Sequence, residues 1–114
     1  MERVRSDEER TVEAMDGVFL TQLAVGDRMS IQHLRMEPGA RIPEHDHPHE
    51  QVGFVYRGEQ TFLLDGEVLT VGPGESYAIP GEEPHAVENR GEDVLEAIDI
   101  FSPPRPNPSW LDSE

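Results

Sequence analysis

Thr61-Phe62-Leu63-Leu64-Asp65-Gly66-Glu67-Val68-Leu69-Thr70-Val71 reads as two short apolar runs hinged on an Asp-Gly pair. A two-residue primed turn needs positive φ at its centre, which Asp and Gly tolerate, so this stretch predicts a tight β-hairpin. The same rhythm continues outward in both directions: Val18 to Leu23, Met29 to Met36, Gln51 to Tyr56, Ser76 to Ile79, His85 to Glu88 and Val94 to Phe101. These runs are rich in Val, Ile, Leu, Phe and Thr and are separated by Gly, Pro and Asp. No window carries sustained helical periodicity. Together with the hairpin arms, Thr61 to Leu64 and Val68 to Val71, they predict an all-β closed barrel or jelly roll, which leaves few unpaired sheet edges.

At 114 residues there is room for one domain. Residues 1–14 are charged and aperiodic and are expected to form a flexible or loosely packed arm; the barrel is expected over 15–102. Residues 103–114 hold too many prolines for a central strand and are read as an extended tail, with Trp110 docking on the barrel or on a partner subunit. A homodimer is the default expectation, given an exposed sheet edge and that tail.

The formal net charge is −15, and all nine basic residues are arginine. Nucleic acid is a poor partner for such a surface. Self-repulsion of this size is relieved by concentrated salt, so a halophilic setting is expected. The absence of cysteine excludes disulfides, Fe–S clusters and thiolate zinc sites, leaving imidazole and oxygen as metal donors. There is no run of about 20 apolar residues and no signal-peptide core, so the reading is a cytoplasmic chain with no membrane partner.

Pro43-Glu44-His45-Asp46-His47-Pro48-His49-Glu50-Gln51 sets three histidines at alternating positions with a carboxamide beyond them. Residues i and i+2 share a face of a strand, so His45 and His47 can aim at one point; Gln51 has the same parity, with Pro48 bending the chain. His85 follows Pro84 at the start of a later strand. These four are the candidate ligands of one divalent transition metal ion (Ni, Zn, Mn, Fe, Co or Cu), the alternative being a surface chelator without function. His49 is expected behind the ligands or exposed, and His33 as an ordinary wall residue.

Residues 39–58, with Gly39, His45, His47, Gln51 and Gly58, resemble the first motif of the cupins, with Gln51 where that motif has Glu. Residues 74–89, with Gly74, Pro80, His85 and Asn89, resemble the second, with Glu82 in place of its internal glycine. The resemblance implies a cupin jelly roll with the metal inside. A neutral amide at Gln51 leaves the ion a stronger Lewis acid but less tightly held, so Gln51→Glu is expected to tighten binding and weaken polarisation.

Ala97-Ile98-Asp99-Ile100-Phe101 places a carboxylate inside an apolar strand. Asp99 shares a face with Ala97 and Phe101, where a charge is costly unless paired or protonated. It is read either as a general acid or base facing the metal, or as an edge residue or structural ion-pair partner. Arg105, among prolines, is read either as a held carboxylate clamp or as a solvated arginine. Asp99-Ile100-Phe101-Ser102-Pro103-Pro104-Arg105 and His45-Asp46-His47-Pro48-His49-Glu50-Gln51 resemble segments of the KdgF-type cupins, pectin-degradation proteins that linearise unsaturated uronates. That resemblance implies metal ligation by His45, His47, Gln51 and His85. It also implies a site lined by Asp99, Phe101 and Arg105 for a small carboxylate-bearing substrate. The activity it implies is ring opening of a 4,5-unsaturated uronate to a 4-deoxy-5-keto-uronate. A metal-dependent dioxygenase or oxidase, and a non-catalytic sugar- or effector-binding cupin, are the alternatives.

Overall fold

A computed structural model describes residues 1–105. Ten strands form two antiparallel sheets: β1 (Thr11–Met15), β2 (Val18–Val25), β3 (Ser30–Met36), β4 (Arg41–His45), β5 (Glu50–Arg57), β6 (Gln60–Leu64), β7 (Glu67–Val71), β8 (Ser76–Ile79), β9 (His85–Glu88) and β10 (Leu95–Ser102). The six-stranded sheet runs β1-β2-β3-β10-β5-β8, and the four-stranded sheet runs β4-β9-β6-β7. The expected hairpin is β6–β7, paired from Gln60 opposite Val71 to Leu64 opposite Glu67, with Gly66 at φ 75°.

All eight expected strands are present, and two further strands appear. The first, β1, lies almost wholly inside the segment expected to be a loose arm: it pairs with β2 and buries Val12 completely, so the packed body begins at Thr11. Its charged neighbours hide two inward apolar positions, Val12 and Ala14. The second, β4, contains Pro43 and is mostly exposed. It lies at a sheet edge, where a residue without an N–H is tolerated. The docking expected of Trp110 lies outside the described residues.

Inward positions alternate along β3, β5 and β10, and the two sheets close on a core of Val18, Leu34, Met36, Val55, Phe62 and Leu95. The core fills one end of the sandwich. At the other end the inward positions of β5, β9 and β10 are polar: Gln51, His85 and Asp99. Among the described residues no helix is long and apolar enough to cross a membrane.

Candidate metal centre

β4 and β9 pair antiparallel with His45 opposite His85. Ile42 pairs with Val87, so two residues on β4, Pro43 and Glu44, stand against one on β9, Ala86. This bulge returns His45 to the inward face that strict alternation from Ile42 would deny it. His47 is not on the strand as expected but in the connection to β5, brought inward by the bend at Pro48-His49. One ligand atom from each of His45, His47 and His85 lies within 4.8 Å of the others. At metal–nitrogen distances of about 2.1 Å, nitrogens at tetrahedral angles stand about 3.4 Å apart, so a closure of at most about 1.4 Å would bring all three onto one ion.

Backbone carbonyls fix the tautomers. Nδ1 of His45 lies 2.9 Å from the Pro43 carbonyl, Nδ1 of His47 3.0 Å from that of His49, and Nδ1 of His85 2.8 Å from that of Glu83. A carbonyl only accepts, so each Nδ1 carries the proton and each Nε2 keeps its lone pair. Burial lowers the pKa of all three rings, which keeps them neutral and able to ligate. His49 therefore serves the site through its carbonyl. Its ring stands behind the ligands, 6.3 Å from that of Phe101, as the sequence led us to expect.

Gln51 stands beside the three histidines. Its Nε2 donates to Oδ1 of Asp99 at 2.9 Å, and its Oε1 lies 3.1 Å from Nε2 of His47. Two lone-pair acceptors facing one another are reconciled by a cation between them. The donor set of three imidazoles and one amide oxygen thus fits a divalent transition ion.

Asp99, 2% exposed, faces the cavity rather than solvent. Burial raises its pKa, against the opposing effects of the Tyr77 hydroxyl, the Gln51 amide and the charge of Arg105. Tyr77 donates to the same Oδ1 and is pushed far above the ordinary phenol range by burial and by that carboxylate, so it stays a donor. Arg105 lies over the Phe101 ring, 4.9 Å from its centroid. What holds it is not the prolines alone: its N–H donates to Ser30 Oγ at 2.9 Å, and Gln22 Nε2 donates to its carbonyl at 2.5 Å. His45, His47, Gln51, His85, Asp99, Phe101 and Arg105 all line one cavity of about 400 Å³. His33 is outside it, on the outer face of β3, 2.5 Å from the Tyr56 hydroxyl.

The sequence reading missed Tyr77 and Gln60. Gln60 is 1% exposed, lines the cavity and leaves its buried Oε1 without a hydrogen-bond partner. Neither belongs to a motif, and only the strand register brings them to the site.

A sequence model of the cupin domain (Cupin_2) matches residues 32–101. The chain belongs to the cupin family. This cupin is 34% identical over 93 residues to the polyketide synthase protein CurC of Streptomyces cyaneus, a match covering 80% of this chain and 60% of CurC. Its fold resembles KdgF from Halomonas sp. (TM-score 0.83, 24% identity, 93% of this chain and 96% of that one). It also resembles the polyketide cyclase RemF from Streptomyces resistomycificus (TM-score 0.79, 23% identity, 94% and 82%). At those identities the two likenesses establish the shared fold.

Proposed function

We propose that this cupin is a metal-dependent isomerase that opens the ring of a 4,5-unsaturated uronate monosaccharide. The observation that carries the proposal is the convergence of Asp99, Phe101 and Arg105 on the cavity that also holds the three histidines and Gln51. The volume, about 400 Å³, suits a monosaccharide acid. A divalent ion bound there supplies Lewis acidity toward the substrate.

The reaction is an isomerisation and needs no co-reactant. The anomeric hydroxyl gives up its proton, and the bond from C1 to the ring oxygen breaks with its electron pair passing to that oxygen. The resulting enol takes a proton at C4 as C5 becomes a ketone. Asp99, with its pKa raised by burial, is placed to take and return that proton. Arg105 grips the substrate carboxylate, and Phe101 packs on the sugar face.

Loss of the unsaturated uronate's ultraviolet absorbance, measured without oxygen, tests the reading. Unchanged absorbance with metal-loaded protein overturns it, and oxygen uptake with a phenol or diketone would move the activity to a dioxygenase. The likeness to CurC and the apolar wall of Leu20, Leu34, Ile42 and Val87 favour a second reading, enolate chemistry on a polyketide-like substrate. A cyclised product from a poly-β-ketone would mark it. The homodimer expected from the sequence remains part of the proposal, and light scattering on the eluted protein checks it.

A further inference from the structure

Asp99, Gly53 and Tyr77 lie side by side on β10, β5 and β8, each directly opposite the next. The middle residue has no side chain, and this is what lets the outer two meet. A Cβ on Gly53 would overlap the Tyr77 Cζ and hydroxyl and stand 2.6 Å from Asp99 Oδ1. Tyr77 leans across that space, its ring packed on Phe62 at 4.7 Å between centroids and its hydroxyl on Asp99.

We propose that Tyr77 is a positioning residue of the metal centre, acting through Asp99 to hold the Gln51 amide with its oxygen turned toward the histidines. An amide's two ends are nearly equal in size, so only its partners decide which faces the ion. The Tyr77 hydroxyl and Gln51 Nε2 both donate to Oδ1 of Asp99. With Oδ1 fixed as an acceptor, the amide nitrogen is drawn to it and Oε1 is left 3.1 Å from His47 Nε2. Losing the hydroxyl frees the carboxylate to turn and the amide with it. Partners that orient a ligand typically contribute 10- to 100-fold in metal affinity.

The inference rests on His45, His47, His85 and Gln51 as ligands and is independent of the substrate. Its test is a Co²⁺ titration of the full chain, wild type and Tyr77→Phe, by calorimetry and by visible absorption of the bound ion. Melting of both metal-free proteins is measured alongside. Tyr77→Phe keeps the ring on Phe62, so melting of the metal-free chain is expected to change little while the Co²⁺ Kd rises at least about tenfold and the absorption bands move. In a Gln51→Ala background the same substitution is expected to leave Kd unchanged, because no amide remains to be oriented. An unchanged Kd for Tyr77→Phe, or an equal loss in the Gln51→Ala background, overturns the role of Tyr77 while the ligand assignment stands. A wild-type chain that takes up no Co²⁺ overturns both.

Discussion

The side chain of Gln51 lies between Asp99 and His47, its amide nitrogen 2.9 Å from Asp99 Oδ1 and its oxygen 3.1 Å from the imidazole Nε2. A glutamate here could offer an oxygen to a metal but nothing to Asp99. Two carboxyls within hydrogen-bond distance share a proton, because both cannot ionise cheaply. Gln51→Glu is therefore expected to trap a proton on Asp99 and to tighten metal binding, because the negative charge then sits on the ligating side chain. Turnover of the unsaturated uronate should fall by about 100-fold or more, since one acid–base group usually contributes about 100- to 10,000-fold. Binding calorimetry and the absorbance assay check the two effects. Turnover equal to wild type would show that Asp99 moves no proton.

Glu82 has φ 66°, the one positive value outside glycine among the described residues. Its position is where the second cupin motif carries glycine, and its N–H donates to the His47 carbonyl at 2.6 Å, tying the β8–β9 turn to the ligand loop. Left-handed backbone costs a residue with a Cβ about 1–2 kcal/mol. Glycine removes that strain while making the unfolded chain looser by about 0.4–1 kcal/mol. Glu82→Gly is expected to stabilise the fold by about 0.5–1 kcal/mol, read from the midpoint of urea unfolding. A destabilised variant would show that the Glu82 side chain makes a contact worth more than the strain.

The barrel was legible because its inward and outward positions alternate cleanly in β3, β5 and β10, and alternation is what a half-buried strand imposes on a sequence. Asp99 was placed correctly by the same parity. β4 was not legible, since Arg41-Ile42-Pro43-Glu44-His45 carries a proline and little apolar character; it is a strand because β9 offers it an edge. The convergence of His45 and His47 was foreseen for an incomplete reason, because a bulge and a loop, rather than one strand's parity, bring them together. Tyr77 and Gly53 were invisible because their roles exist only across three strands.

Metal removal should be visible without any substrate. An ion present at 100 times its Kd adds about 2.7 kcal/mol to the folded state, which in a domain of this size corresponds to a shift of roughly 10 °C in Tm. Chelation is expected to lower Tm by about that amount, and readdition to restore it. His45 is the exposed member of the triad, so His45→Ala should leave the metal-free Tm nearly unchanged and abolish the response to metal. A metal response that survives in His45→Ala would exclude it from the ligand set.

Burial lowers the pKa of His33, more than the neighbouring Glu96 carboxylate raises it. The unfolded chain therefore binds a proton at higher pH than the folded one. Its share of stability is complete above the ordinary histidine pKa, about 6.5, and is lost as pH falls through the lower folded value. The difference in unfolding free energy between wild type and His33→Gln is expected to move against wild type on acidification from pH 7.5. A difference independent of pH would mean that the ring titrates alike in both states.

The net charge of −15 bears on both folding and binding. Glu44, Asp46, Glu50 and Glu82 are all exposed around the ligand loop, and Glu44 and Asp46 line the cavity itself. An anionic substrate must therefore pass a rim of its own sign before it reaches Arg105. At molar salt the screening length falls to about 3 Å, which weakens the rim's repulsion more than the short, half-buried hold of Arg105. KCl between 0.1 and 2 M is expected to raise the urea midpoint and to lower KM for the uronate, with kcat little changed. Sucrose separates screening from general solvent exclusion, since it strengthens burial without screening charge. If sucrose matches KCl, or if neither the midpoint nor KM moves with KCl, the acidic surface has no salt-dependent role.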